Sequence, residues 1–144
     1  MQKSNLSIFE AKTGDELLAV FDVMKQLRTH LKRSEFVAQV RRQEAAGYRI
    51  AALRRGEEVV AVTGFRLTEN LAMGSYVYID DLVTLDTGRS EGYGALLMEW
   101  VGQWAREQGC SELHLDSGVQ RFDAHRFYFR ERMAIVFYHF RKYL

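Results

Sequence analysis

A glycine-punctuated loop in the middle of the chain has the residues expected of an anion-binding site. The stretch TLDTGRSEGYGALLMEWVGQWAREQG, residues 84 to 109, begins with turn-forming residues and continues as an unbroken run of helix formers. Gly92 and Gly94 therefore lie between a strand end and a helix start, where unpaired backbone amides meet the positive end of the helix dipole. Glycine lets an anion approach the backbone closely, and Arg89 can bind a phosphate through two N–H groups. The stretch predicts a pyrophosphate site.

Three other interpretations of this loop can be compared with its residues. A nucleotide P-loop needs Lys and then Ser or Thr after its last glycine, but Ala95 and Leu96 follow here. A dinucleotide-binding loop needs a third glycine at position 97, which is Leu. In the third interpretation the glycines only permit a turn and close packing of the helix, and the residues alone leave it open.

Two adjacent carboxylates, Asp80 and Asp81, interrupt the otherwise apolar strand YVYIDDLVT. Adjacent side chains of a strand point to opposite faces, so at least one carboxylate should face covered space. Such a group can act as a general base through water and can attract an ammonium group. The alternative is that one aspartate binds a backbone bend while the other is solvated. Between the two, we prefer Asp80 for the chemical role.

Neither a metal centre nor a cysteine nucleophile is indicated. The histidines at positions 30, 114, 125 and 139 show no metal-binding spacing, so we predict no metal. Cys110 follows Gly109 at the predicted end of the long helix, where the negative end of the helix dipole disfavours a thiolate.

The composition is that of one globular domain. The chain has 144 residues, 47% of them hydrophobic and 27% charged, and a formal net charge of +1. No stretch approaches the apolar length of a membrane span, and the small net charge gives no field to attract nucleic acid. Because the N-terminus lacks the features of a secretory signal and one cysteine cannot form an internal disulfide, we expect a cytoplasmic protein.

Hydrophobic periodicity predicts an α/β fold with a mixed sheet. Strands are expected over residues 6–12, 48–53, 59–67, 76–84, 111–116 and 135–140. Helices are expected over residues 15–28, 35–46 and 123–133, and from the glycine-rich loop to Gly109. Residues 48–53 and 59–67 should form an antiparallel hairpin, whereas residues 68–75 should be a loop. Ser34 is the expected N-cap of the second helix, and Gly47 should be left-handed after its end.

The sequence Arg89-Ser90-Glu91-Gly92-Tyr93-Gly94 resembles the acetyl-coenzyme A motif, RxxGxG/A, of the GNAT N-acetyltransferases. The strand YVYIDDLVT, the long helix, the strand ELHLDS and the segment AHRFYFRERM follow in that family's order. The resemblance is specific over residues 76 to 144 and rests on element order before residue 70. It implies a single N-acetyltransferase domain over residues 1–144, with a mixed, mostly antiparallel sheet and helices on both faces.

The resemblance also implies that acetyl-coenzyme A is the co-substrate. The loop and helix start would hold its pyrophosphate through Arg89, Ser90, Glu91, Gly92, Tyr93, Gly94 and Ala95. Main-chain groups of the preceding strand would hold the pantetheine arm and the thioester through Leu82, Val83 and Thr84. The strands before and after the motif are expected to splay apart and admit the acyl group.

The activity implied by the resemblance is acetyl transfer to a primary amine by direct attack in a ternary complex. Tyr128, in RFYF, takes the position of the family's tyrosine that bonds the coenzyme sulfur and acts as general acid. Acidic residues at the positions of Asp80 and Asp81 serve as base or amine-binding groups in some members.

The amine itself is left open, as a small molecule or a peptide. Arg132-Met133 stand where the family usually has Gly-Phe. A non-catalytic acetyl-coenzyme A sensor or interaction module with the same fold is therefore the alternative. From the aromatic segment VFYHF we predict a homodimer through a strand edge, although strand pairing within one chain explains these residues equally well.

Overall fold

The computed structural model describes residues 5–85 and 91–144. The strands in these ranges are β1 (Leu6–Glu10), β2 (Tyr48–Arg55), β3 (Glu58–Asn70), β4 (Gly74–Thr84) and β5 (Leu113–Leu115). The helices are α1 (Gly14–Leu27), α2 (Arg33–Glu44), α3 (Tyr93–Glu107) and α4 (Phe122–Arg130). The chain divides into two units, Met1–His114 and Leu115–Leu144. No helix in the described ranges is long and apolar enough to cross a membrane.

The sheet has the order β1-β2-β3-β4-β5, and its first four strands are antiparallel neighbours. The hairpin predicted between β2 and β3 is confirmed. Residues 68–70 are not loop as predicted, because β3 continues to Asn70 and β4 already begins at Gly74. The Asn70 side chain accepts a hydrogen bond from the Met73 amide at 2.7 Å, and Gly74 has φ +69°, so the turn needs few residues.

Helices cover both faces of the sheet in the first unit, as predicted. Side chains alternate along β2, so Ile50 and Ala52 pack with α1 and α2. Leu53 points the other way and joins a cluster that contains Tyr93 and Leu97 of α3. Each fully buried large apolar side chain contributes about 1.5 to 3 kcal/mol relative to an exposed one. The two clusters therefore hold β3 and β4 between helical layers.

The helix ends agree with sequence rules in α1 but not in α2. Thr13 and Glu16 form a capping box at the start of α1. The prediction of Ser34 as the N-cap of α2 is wrong, because the helix begins at Arg33 and its N-cap, Lys32, makes no side-chain capping bond. The left-handed Gly47, with φ +100°, is confirmed.

The prediction of a strand over residues 135–140 is also wrong. Residues 133–144 contain no regular secondary structure. Alternating aromatic and β-branched residues favour a strand, but a strand forms only where a neighbour satisfies its backbone groups. Tyr138 and Phe140 in this segment expose 83% and 90% of their surface.

Candidate active site

The start of α3 presents backbone amides without a side-chain cap. Its N-cap residue, Gly92, has the left-handed φ of 81°, and within the described ranges neither a side-chain capping bond nor an acidic residue in the first turn occupies the amides. In the described residues, no heavy atom lies within 4 Å of the place where a Cβ of residue 92 would stand. An anion can therefore reach these amides at the positive end of the helix dipole.

The residues predicted to hold a pyrophosphate are only partly described. Arg89 and Ser90 lie outside the described residues. Glu91 is exposed, and Gly94 and Ala95 lie in the first turn of α3. The Tyr93 side chain is buried, and its hydroxyl accepts a hydrogen bond from Arg55 at 3.0 Å, so only its backbone amide is available to a ligand.

The three residues predicted to hold the pantetheine arm form the end of β4. Leu82, Val83 and Thr84 pair on one side with Thr63, Val62 and Ala61 of β3. On the other side, β5 has 3 residues against 11 in β4. A backbone bond joins Val77 to Glu112, near the opposite end of β4. The backbone groups near Leu82 therefore lie away from Val77, the part of β4 that is bonded to Glu112 just before β5.

A β-bulge in β4 separates the two candidate carboxylates. Asp81 pairs with Gly64 and Ile79 pairs with Phe65, which leaves Asp80 without a register partner. The Asp80 carboxylate binds the Arg66 guanidinium through two hydrogen bonds of 2.8 and 2.9 Å. Its carbonyl oxygen accepts a hydrogen bond from Arg28 Nη2 at 2.8 Å.

Asp81 is the centre of a hydrogen-bonded cluster in the first unit. Its Oδ1 accepts a bond from Arg28 Nε at 2.8 Å, and its Oδ2 accepts one from the Tyr48 hydroxyl at 2.6 Å. Its carbonyl oxygen accepts a bond from the buried Thr63 hydroxyl at 2.8 Å. The carboxylate is therefore held by Arg28 at the end of α1 and Tyr48 of β2, while Thr63 of β3 holds the backbone of Asp81.

Gly64 makes the bond between Tyr48 and Asp81 geometrically possible. A Cβ at position 64 would collide with the Tyr48 ring and hydroxyl and would lie 2.6 Å from Asp81 Oδ2. The Tyr48 side chain thus crosses β3 over the one residue without a side chain, and reaches a carboxylate two strands away. Burial, and next the negative charge of Asp81, raise the pKa of Tyr48 well above its ordinary value of 10.0.

A cavity of about 300 Å³ opens on this cluster. Its polar lining comes from Arg28, His30, Gln39, Gln43, Tyr48 and Asp81. Its apolar lining comes from Met24, Leu31, Phe36 and Val40. Asp81 belongs to the lining and Asp80 does not, so the preference between the two carboxylates shifts to Asp81.

The predicted acid, Tyr128, lies in α4 of the second unit. It is half-buried, and burial raises the pKa of its hydroxyl above 10.0 although the Arg121 charge opposes that rise. The helix ends in a Schellman motif, in which the Met133 amide bonds the Tyr128 carbonyl and the Arg132 amide bonds the Phe129 carbonyl, both at 3.0 Å. Arg132 is left-handed, with φ 65°, at the position where the GNAT resemblance has glycine.

The histidines take part in local polar contacts. His125 Nε2 lies 2.8 Å from the Gly118 carbonyl, and His139 Nδ1 lies 3.0 Å from Asp116 Oδ2. Within residues 5–85 and 91–144, no three His, Cys, Asp or Glu side chains are grouped so that they could hold a metal ion.

Comparison with known proteins decides the family. The sequence model described as "Acetyltransferase (GNAT) family" matches residues 15–133. The chain belongs to the GNAT family of acetyltransferases. It is therefore an acyltransferase, of a family that generally uses acetyl-coenzyme A and transfers the acetyl group to amines.

Individual GNAT relatives resemble the chain over much of its length. It is 33% identical over 115 residues to an uncharacterised N-acetyltransferase, YhdJ, of Bacillus subtilis (strain 168), covering 79% of this chain and 81% of that protein. It is 36% identical over 85 residues to the aminoalkylphosphonate N-acetyltransferase of Salmonella typhimurium, covering 58% of this chain and 54% of that one.

The fold is shared with solved structures at much lower identity. An aminoglycoside acetyltransferase from an uncultured soil metagenomic sample, solved with trehalose, superposes with a TM-score of 0.81 at 16% identity, covering 100% of this chain and 99% of that one. The α/β fold with a mostly antiparallel sheet, predicted from the sequence, is confirmed.

Proposed function

We propose that this GNAT protein transfers an acetyl group from acetyl-coenzyme A to the primary amine of a small molecule, by direct attack in a ternary complex. The observation that carries the proposal is the uncapped start of α3, which follows the strand that also holds Asp81 against a cavity. The family match crosses both units of the chain, which supports one acetyltransferase domain over residues 1–144.

The start of α3 fits the pyrophosphate of coenzyme A. In the part of the chain that the structure describes, the left-handed Gly92 leaves space beside the amides of Tyr93, Gly94 and Ala95, no side chain caps them, and no carboxylate in the first turn of the helix repels a phosphate. Arg89, Ser90 and Glu91 complete the proposed binding loop, and the Arg89 side chain would supply a permanent positive charge.

The end of β4 is proposed to hold the pantetheine arm. Backbone groups of Leu82, Val83 and Thr84 would bond its amides on the side of β4 that does not face β3. Acetyl-coenzyme A, when bound, supplies the acetyl group as a thioester. Backbone donors fixed in a sheet can stabilise charge that develops on an acyl oxygen.

The acceptor amine is proposed to bind at Asp81. The carboxylate is held by Arg28 and Tyr48 and faces the cavity, so it can orient an ammonium group and receive its proton through water. Asp80 has a positioning role in this scheme, because its carbonyl fixes Arg28 while its carboxylate is engaged by Arg66.

Tyr128 is proposed as the proton donor to the departing sulfur. Its hydroxyl, like any phenol, is protonated at neutral pH, as a general acid requires, and burial raises its pKa further. The Schellman motif fixes the helix end at the Tyr128 carbonyl even though Arg132 replaces the family's glycine.

The test is release of free coenzyme A from acetyl-coenzyme A in the presence of a panel of primary amines. We expect amine-dependent release by the native chain, a large loss with Tyr128→Phe that leaves coenzyme binding intact, and weakened coenzyme binding with Arg89→Ala. Tyr143→Phe and Arg42→Ala are matched controls, since both side chains are exposed. Coenzyme binding with no release on any amine would overturn the proposed activity.

A homodimer is also proposed, through the C-terminal segment. The exposed residues Ile135, Val136, Tyr138 and Phe140 form an apolar stretch with strand-forming composition, and exposure of such a stretch to water is unfavourable. A second copy of the chain offers the same apolar stretch in return, as a two-fold interface requires. Sedimentation at equilibrium should show a dimer that Tyr138→Lys with Phe140→Lys dissociates, and a monomeric native chain would exclude it.

A further inference from the structure

The cavity in the first unit carries balanced charges at fixed positions. In its lining, Arg28 supplies the cation and Asp81 the carboxylate, and the two are joined at 2.8 Å. The adjacent pair of Asp80 and Arg66 is also neutral as a whole. A ligand with several positive charges would find no excess negative charge here to bind it.

Arg28 retains hydrogen-bond donors after its contacts with the protein. A guanidinium has five N–H donors, and the structure uses Nε for Asp81 and Nη2 for the Asp80 carbonyl. Within the described part of the chain, Nη1 makes no hydrogen bond, and the side chain is 43% exposed. The two bonds hold the guanidinium in place, so its remaining donors are preorganised for an oxyanion.

Asp81 likewise retains acceptor capacity. Each carboxylate oxygen can accept two hydrogen bonds, and the structure uses one on Oδ1 and one on Oδ2. A primary amine can therefore bond Asp81 without displacing Arg28 or Tyr48. The cavity thus offers an amine site and an anion site beside each other.

The cavity volume is that of a site for a small molecule. At about 300 Å³ it stands at the lower end of the range for small-molecule sites. His30, Gln39 and Gln43 add further polar groups that suit a compact polar molecule.

From these observations we infer that the acceptor is a small amine that also carries an anionic group, a carboxylate or a phosphonate. Asp81 binds the amine and Arg28 binds the anion. This inference rests on the proposed acetyl transfer and adds the class of its substrate.

The experiment compares amines that differ only in the anion. β-Alanine and its primary amide form one pair, and aminoethylphosphonate and its dimethyl ester form the other. With the native chain, we expect kcat/KM for the anionic member to exceed that for its neutral partner by about tenfold or more. A preference in only one pair identifies the anion as carboxylate or as phosphonate. Equal values in both pairs, or a preference for the neutral amines or for a polycationic aminoglycoside, would overturn the inference.

The Arg28→Gln variant assigns the preference to the guanidinium. In this variant the ratio of kcat/KM for the anionic amine to kcat/KM for its neutral partner should fall to about one, whatever the absolute rates, and Arg28→Lys should restore part of the preference. Arg33→Gln is the matched control, because Arg33 is exposed, belongs to the neighbouring helix α2 and does not line the cavity. A preference that survives Arg28→Gln would also overturn the inference.

Calorimetry separates failure of this inference from failure of the proposed activity. Binding of β-alanine and of its amide, each in the presence of coenzyme A, needs no turnover. Tighter binding of the acid by the native chain, lost in Arg28→Gln, supports the inference even if no amine is acetylated. Equal binding of the two overturns it whether or not acetylation occurs.

Discussion

Asp80 and Asp81 are consecutive residues of one strand, yet the fold gives them different surroundings. Asp80 stands at the bulge, its side chain is 25% exposed, and its carboxylate is paired bidentately with Arg66. Asp81 is in register with Gly64, its side chain is 12% exposed, and it faces a cavity between a guanidinium and a phenol. The bulge at Asp80 and the glycine opposite Asp81 therefore decide which of the two carboxylates faces the cavity and is a candidate for chemistry.

The functional difference between Asp80 and Asp81 can be tested by removing each charge separately. Asp81→Asn should lower kcat/KM for the amine by about 100-fold or more, because the group proposed to orient the amine and receive its proton is lost. Asp80→Asn should lower it by less than about tenfold, since its carbonyl still holds Arg28. Steady-state kinetics on both variants, with circular dichroism as a check of folding, make the measurement. Equal losses would show that the two carboxylates act as one unit.

The second prediction concerns the glycine that lets Tyr48 reach Asp81. Gly64→Ala should lower the free energy of unfolding by about 2 kcal/mol, because the new methyl group must displace the Tyr48 ring or the Asp81 carboxylate. Urea denaturation measures the change. Gly102→Ala, within α3, is the matched control, since a Cβ there would make only an ordinary contact of 3.9 Å with Leu113 of β5. That control should be neutral or stabilising. A harmless Gly64→Ala would mean that Tyr48 does not cross β3.

A third prediction uses the proton on Tyr48. In the unfolded chain the phenol titrates near its ordinary pKa of 10.0, whereas in the folded chain that pKa is well above this value. Above about pH 10 the unfolded chain releases a proton that the folded chain retains, so stability falls as the pH rises. The contribution of the protonated phenol is fully present below that pH.

Tyr48→Phe isolates this contribution. The variant should lose about 1 to 3 kcal/mol at neutral pH, because the Asp81 carboxylate loses a donor. It should also show a smaller further loss than the native chain between about pH 9 and about pH 11. The raised pKa of Tyr128 acts in the same direction in both proteins and cancels in the comparison. Parallel pH profiles for the two proteins would contradict the assignment.

Sequence patterns predicted the order of elements in the first unit because each element has its own periodicity or punctuation. Gly92 before α3 and Gly109 after it, both left-handed, are examples of residues that mark the ends of an element. The strand expected over residues 135–140 was wrong because strand-forming composition does not supply a neighbour. Ser34 was wrong as an N-cap because a good capping residue does not decide which residue begins a helix.

Only part of the candidate site could be predicted from the sequence. Asp81 was identified from its type and position, but Arg28, Tyr48 and Gly64 were missed, because they meet Asp81 through the register of three strands and the end of α1. One signal was present: Gly64 interrupts the apolar strand EVVAVTGFRL, and an isolated glycine in a strand indicates a close approach by another group. Asp80 was preferred to Asp81 because the bulge that distinguishes their surroundings leaves no clear mark in the sequence.

The smallest expected effect on stability is that of removing Arg66, the partner of Asp80. Arg66→Gln should lower the free energy of unfolding by less than about 1 kcal/mol, because the pair is partly exposed and the change also removes a contact with the Tyr78 ring. Denaturation at low and high salt measures it, and the difference from the native chain should shrink as salt rises. Arg28→Gln should cost more under the same conditions, since it removes a partner from the better-buried Asp81. A larger loss of unfolding free energy for Arg66→Gln than for Arg28→Gln would mean that the ion pair of Asp80, and not that of Asp81, contributes more to stability.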